Sequence, residues 1–322
     1  MTDHYLDIFP NLFCDVKKCD EVKSIITQID DVFSSIITRY GELENEIAFD
    51  VSGQDDFTDI VICLFIRKIM EQLDAINVLY SVGSSTPAQI LLRSLIENII
   101  SLKFILKEDT KKRAATYFLE HHYQEIELGQ SCFNPHSNLG KITKRQNEQY
   151  FNDSYEQFQK KKAAVQKLIM KNSMFQEIDR NRREKIQHKK KTGSKRSVHI
   201  QWYEVCSNAS SFYDLMKETG YEKYYQGLYG GLSYETHSLN STMGINVTEN
   251  GFFLKKIRSM EEGSSTFSIS CTFSVALLQD LYNYLEDGED EKREFRIFFL
   301  SYQDKRKKIE QHLDAIKSST IM

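Results

Sequence analysis

At 322 residues the chain is long for a single small core, and 40% apolar with 27% charged residues is the balance of a globular protein, not of a disordered or membrane-spanning one. A net charge of −4 gives no global attraction to nucleic acid or to a membrane surface, and the six cysteines show no C-x-x-C pair, which argues against a disulfide framework or a structural zinc site. Three prolines beside 20 Phe and 17 Tyr favour long uninterrupted helices over a loop-rich β protein.

The opening MTDHYLDIFP lacks a basic segment followed by an apolar run, so no signal peptide is expected. Apolar stretches such as IVICLFI are too short to span a bilayer. The expectation is a cytoplasmic protein without membrane contact.

Residues 19–46 place Val22, Ile25, Ile26, Ile29, Phe33, Ile36 and Ile37 at helical spacing, with Asp20 as N-cap. A second helix is predicted from about Phe57 to Val82. Gly83 ends it, and Pro87 sits at a tolerated first-turn position of the third. That third helix carries LLRSLIENIISLKFIL, residues 91–106. The fourth spans 110–130 with Thr110 as cap; a polar loop follows over 131–148 and a charged helix over 149–172.

Residues 180–196, RNRREKIQHKKKTGSKR, hold nine Lys or Arg and one Glu. Helices resume over 201–218 and 221–239. GINVTENGFFLKKI, turning at Glu249-Asn250-Gly251, reads as a β-hairpin near 244–256. SSTFSISCTFS either pairs with it or leads into a helix over 273–286, and a last charged helix covers 292–317. The predicted fold is mainly α: a bundle of long antiparallel helices with a small β-hairpin. Its expected organisation is a helical half over 1–175, a basic mobile connection over 176–200 and a second half over 201–322, integrated as one domain.

On the third helix Arg93, Ser94, Glu97, Asn98 and Ser101 form one narrow polar stripe. Arg93 and Glu97 are one turn apart and able to pair. Lys103 lies off the stripe near the helix end, where it can reach solvent. The stripe is either a solvent edge with a structural ion pair or the wall of a polar cavity. A buried charge needs a partner and hydrogen bonds, so the second reading points to function.

In YYQGLYGGLSYETHSLNS, residues 224–241, Tyr225, Tyr229, Ser233 and His237 follow at i+4 steps on one face. Three hydroxyls and an imidazole are more than a plain packing seam needs, although a Tyr-rich seam with a satisfied histidine remains the bland reading. Gly230 and Gly231 beside it would permit close approach of another helix or a ligand.

Taken together, Arg93-Ser94-Leu95-Ile96-Glu97, Trp202-Tyr203, Tyr225, Tyr229 and Leu232-Ser233-Tyr234-Glu235-Thr236-His237 resemble the ordered motifs R-S-L-x-E, W-Y, a tyrosine-rich helix and L-S-x-x-x-H of a bacterial and archaeal family of domains of unknown function. The resemblance covers about residues 60 to 245 and implies a helical domain, often found in bacterial defence neighbourhoods; it carries no chemistry. A looser similarity is to helical RNase toxins with an R-x4-6-H motif, matched here by Arg182 or Arg183 with His188.

The function expected is a toxin-like or phage-defence effector acting on RNA without metal or cofactor. His237 would move the 2′-hydroxyl proton, Arg93 would stabilise the phosphorane and Glu97 would orient either, with Tyr225, Tyr229, Ser233 and Trp202 as binding residues. The basic run supplies candidate phosphate contacts: Arg182, Arg183, Lys189, Lys190, Lys191, Lys195 and Arg196. The competing class is non-enzymatic, a nucleotide-ligand sensor or protein scaffold using the same cavity. A partner protein or antitoxin, and a homo-oligomer, fit either reading. His121-His122 with Cys132 and His136 make a poor metal site, because adjacent helical residues point about 100° apart.

Overall fold

The computed structural model of the protein describes residues 20–50, 57–192, 200–236, 245–248, 251–254, 258, 260, 263–285 and 289–320. It is mainly helical. In chain order the helices are α1 (Asp20–Asp50), α2 (Phe57–Ser81), α3 (Ser85–Lys107), α4 (Thr110–Phe133), α5 (Asn138–Gln146), α6 (Glu148–Lys171), α7 (Ser173–Lys191), α8 (Trp202–Cys206) and α9 (Phe212–Glu218). A 3-10 turn (Glu222–Tyr224) and a π turn (Tyr225–Tyr229) lead into α10 (Gly230–Thr236). Two short strands, β1 (Ile245–Thr248) and β2 (Gly251–Leu254), pair antiparallel from Ile245 opposite Leu254 to Thr248 opposite Gly251. α11 (Gly263–Tyr284) and α12 (Glu289–Thr320) complete the described chain.

These residues divide into two compact units. One takes α1, α2 from Ile62, α3 and the chain from Met216 onward; the other takes the first turn of α2 and Glu108–Leu215. Within the segment expected as a basic connection, residues up to Lys191 belong to one helix, α7.

The core of the first unit follows the helical period of α1. Ile25, Ile29, Val32, Phe33, Ile36, Tyr40, Leu43 and Ile47 are all buried. α11 packs against α1, α3 and α12 and is buried on most sides. It was expected to be strand or lead-in over its first half. Its hydroxyls are instead absorbed by the helix: Ser270 donates to the Thr266 carbonyl at 2.8 Å and Thr272 to that of Ser268 at 2.8 Å. Tyr40 donates to the Ser274 carbonyl at 2.7 Å, Tyr80 donates to that of Gly263, and Phe33 meets Phe267 edge-on at 5.5 Å. Gly83, at φ 71, closes α2: its N–H donates to the Tyr80 carbonyl at 2.9 Å, leaving α3 free to reverse direction.

In the second unit three consecutive helix starts are capped by side chains. Ser137 accepts from Gly140 N–H, Asn147 from Tyr150 N–H, and Asn172 from Met174 and Phe175 N–H. Ser137 is why a helix, α5, occupies part of the segment expected as a polar loop. The cap of α4 is Asp109, at φ 45, and not Thr110. Ala115, Leu119, Val165, Phe175, Ile178, Ile200 and Val205 form this unit's apolar centre, with Phe57 stacked on Phe118 at 4.8 Å. The segment expected as one helix over 201–218 is two, α8 and α9.

Candidate functional site

α3 buries Leu92, Leu95, Ile96, Ile99 and Ile100 and leaves Arg93, Ser94, Glu97 and Asn98 half-buried, so its polar stripe is real and narrow. Arg93 Nε donates to Glu97 Oε1 at 3.2 Å. An Arg93 terminal nitrogen donates to the Tyr229 hydroxyl at 3.1 Å, and that hydroxyl donates to Glu97 Oε1 at 2.6 Å. The three groups close a ring of hydrogen bonds. The guanidinium carbon also lies 4.9 Å from the centre of the Tyr229 ring. The side chains of Arg93 and Glu97 are 23% and 41% exposed, so the stripe opens on a surface and does not line an enclosed cavity. Next to it, Gln72 donates to Ser94 at 2.7 Å and accepts from Asn98 at 2.9 Å.

Burial works against the Arg93 charge, but hydrogen bonds to Tyr229 and the Glu97 carboxylate hold its pKa above the usual value. Burial and the donated bond to Glu97 push Tyr229 up to about 12, so it stays a neutral donor. Tyr229 belongs to the π turn, a distortion that re-aims one side chain within a helix. Its ring stacks on Tyr225 at 5.4 Å and 25°. Ser233 is held by its own helix, donating to the Tyr229 carbonyl at 2.9 Å. His237 lies outside the described residues, as do Lys195 and Arg196. A side chain at Gly231 would meet nothing within 4 Å, and one at Gly230 only the Tyr225 carbonyl at 3.5 Å. Among the described residues no other helix makes the close approach these glycines would permit.

Trp202 sits in the second unit, buried edge-on to Tyr117 at 5.2 Å, where it serves packing. Of the seven cations of the basic run that lie among the described residues, four are engaged in the folded unit. Arg182 lies over the Tyr123 ring at 4.2 Å, 2.7 Å from Glu120 and 2.9 Å from Glu127. Arg183 pairs with Asp179 at 2.7 Å, and Lys189 with the buried Glu204 at 2.6 Å. Lys185 donates to the Glu204 and Ser207 carbonyls. Lys190, Lys191 and His188 are exposed. Six residues along a helix turn Arg182 and His188 to different faces, which weakens the literal R-x4-6-H match.

Two features escaped the sequence reading. Glu120 is 1% exposed, and its Oε1 meets Arg182 Nε without hydrogen-bond alignment. Burial outweighs Arg182 and pushes the Glu120 carboxyl up to about 7. Lys103, expected to reach solvent, is 8% exposed; it pairs with Asp280, donates to the Ala276 carbonyl at 3.1 Å and lies 5.3 Å over the Tyr221 ring. A lone cation between Leu102 and Phe104 was the available signal. Among the described residues no group of three or more His, Cys, Asp or Glu is placed to hold a metal ion, and no helix is long and apolar enough to cross a membrane.

A family model described as a family of unknown function, DUF5677, matches residues 59–253, a stretch that includes α3 and the π turn but neither α11 nor α12. No curated protein and no solved structure matches the chain.

Proposed function

The chain belongs to DUF5677, a family of unknown function, and from that premise we propose that it is a toxin-like or phage-defence effector acting on RNA, with the Arg93–Glu97–Tyr229 cluster engaging a phosphodiester. The support is the closed hydrogen-bond ring at Arg93. A guanidinium fixed by oxygens from two separate elements is a preorganised fork for phosphate, and it needs no rearrangement when charge develops on the phosphorane. The half-buried Tyr225 ring, stacked on the buried Tyr229, is the aromatic face on which a single-stranded base would stack.

In this reading His237 takes the 2′-hydroxyl proton. The 2′-oxygen attacks phosphorus, the bond to the 5′-oxygen breaks, and the 5′-oxygen takes a proton from water or from the protonated His237, giving a 2′,3′-cyclic phosphate and a 5′-hydroxyl. An RNA target implies a cytoplasmic protein, and a harmful activity implies a restraining partner protein. The test is incubation of end-labelled single-stranded RNA with the purified chain in excess EDTA. The expected result is metal-independent cleavage to cyclic-phosphate ends, reduced about 10²-fold or more in Arg93→Gln and His237→Ala at unchanged unfolding midpoint. Intact RNA at high protein concentration rejects it.

One observation favours a non-enzymatic second reading. Glu97 neutralises Arg93, which suits selective holding of a nucleotide-like ligand by a sensor or scaffold. Retained ligand binding without cleavage would select it.

A further inference from the structure

We propose that the first unit carries a second ligand site, for a nucleotide, formed by α3, α11 and α12. Two cavities share Asn283. One, of 240 Å³, lies where α11 meets α12 and is walled by Tyr282, Phe295 and Phe299. Tyr282 and Phe295 are 5.1 Å apart and Phe295 and Phe299 6.1 Å, which makes a continuous aromatic shelf. Gln279 and Asn283 stand at its edge, each with both a donor and an acceptor. The other cavity, of 360 Å³, lies where α3 meets α11 and is lined by Lys103, Lys107, Thr219 and Asp280. Both are open enough to admit a ligand; the second alone reaches the roughly 300 Å³ at which small-molecule sites begin, and the two together exceed it.

The charges favour an anionic ligand at both cavities. Among the described residues Asp280 is the one carboxylate on either wall, and Lys103 already neutralises it. Lys107 in the second cavity and Lys292 and Arg296 beside the first are therefore surplus positive charge. The Lys107 ammonium carries three donors, one of which goes to the Glu218 carbonyl. A base stacked on Phe295 and Phe299, with amides at its edge, would leave its phosphate reaching past Asn283 to Lys107. An aromatic ring joined to an anion is the chemistry of a nucleoside phosphate. α11 and α12 lie beyond the residues the family shares, and Arg93, Glu97 and Tyr229 line neither cavity. The site is independent of the RNA reading.

Calorimetric titration of the full chain with each ribonucleoside 5′-monophosphate, with adenosine and inorganic phosphate as part-probes, tests it. The expected result is saturable binding of at least one nucleotide, about tenfold or more tighter than either fragment. Lys107→Gln should weaken nucleotide and phosphate but not adenosine. Phe299→Ala should weaken nucleotide and adenosine but not phosphate. Arg296→Gln, at an exposed position, should weaken the nucleotide with the fold intact by circular dichroism. Arg93→Gln should leave nucleotide binding unchanged, so failure here and failure of the RNA reading are read separately. Absence of binding by every nucleotide, binding unchanged in Lys107→Gln, Arg296→Gln and Phe299→Ala, or binding lost in Arg93→Gln overturns the proposal.

Discussion

The Tyr229 hydroxyl donates to the Glu97 carboxylate at 2.6 Å while accepting from Arg93 at 3.1 Å, and Tyr229 and Glu97 are 132 positions apart in sequence. One phenol therefore ties the π turn to α3 and fixes the guanidinium in the same contact. Removing the hydroxyl and removing the ring should have different consequences.

Tyr229→Phe keeps the ring under the guanidinium and deletes both hydroxyl bonds. Its stability loss in urea unfolding should be about 1 kcal/mol, whereas Tyr229→Ala should lose about 3 kcal/mol or more with the buried ring. If Arg93 works on a phosphate, Tyr229→Phe should lower RNA activity or affinity well beyond that small stability change. Activity falling only in step with stability would make the ring of bonds structural.

Two glycines should respond in opposite directions to alanine. Gly231 lies in open space on α10, so Gly231→Ala should raise stability by up to about 1 kcal/mol through helix propensity. At Gly129 a β-carbon would come within 2.6 Å of the Phe158 Cε2 atom, so crowding outweighs propensity and Gly129→Ala should cost about 1–3 kcal/mol. Unfolding midpoints of the two variants measure both.

Glu120 sets a pH dependence. Its carboxyl titrates near pH 7 when folded, above the ordinary carboxylate range it has when unfolded. The native state thus holds the extra proton between the two values, and stability should fall as pH rises from about 4.5 to 7, by at most about 3 kcal/mol. Glu120→Gln should flatten that part of the stability–pH curve. The same slope in wild type and variant would mean that another group causes it.

Within the basic helix α7, lysines should separate by role. Lys189→Gln leaves the buried Glu204 carboxylate without its cation and should cost about 2 kcal/mol of stability. Lys190→Gln and Lys191→Gln should be neutral to stability. If the exposed end of the helix contacts RNA, each of these two should reduce the salt slope of single-strand binding by about 0.7. Identical slopes remove the helix end from the interface.

The helical character was legible because α1, α3 and α6 repeat apolar residues at the helical period, and the shortage of proline leaves them unbroken. The Arg93–Glu97 pair was legible as well, since it depends only on i, i+4 spacing. Its third member could be suspected from the tyrosine-rich helix, but the π turn that aims Tyr229 shifts the spacing and leaves no mark in the pattern. The Ser-Thr-rich start of α11 misled because alternating small polar and aromatic residues fit a strand as well as a buried helix. The basic run read as a linker because most of its partners, Glu120, Glu127 and Glu204, lie outside it in sequence; only Asp179, at i, i+4 from Arg183, is local. Lys103 was misplaced for the same reason, its partner Asp280 lying 177 positions away.

That long separation has a consequence for biosynthesis. The chain is made from its first residue onward, so α3 leaves the ribosome well before α11, the helix that covers it. The intervening Glu108–Leu215 segment can meanwhile gather most of its own apolar centre from neighbours already translated. During that interval the nascent chain carries the uncovered apolar surface of α3, a natural chaperone target and the point at which slow translation or truncation before α11 would lead to aggregation.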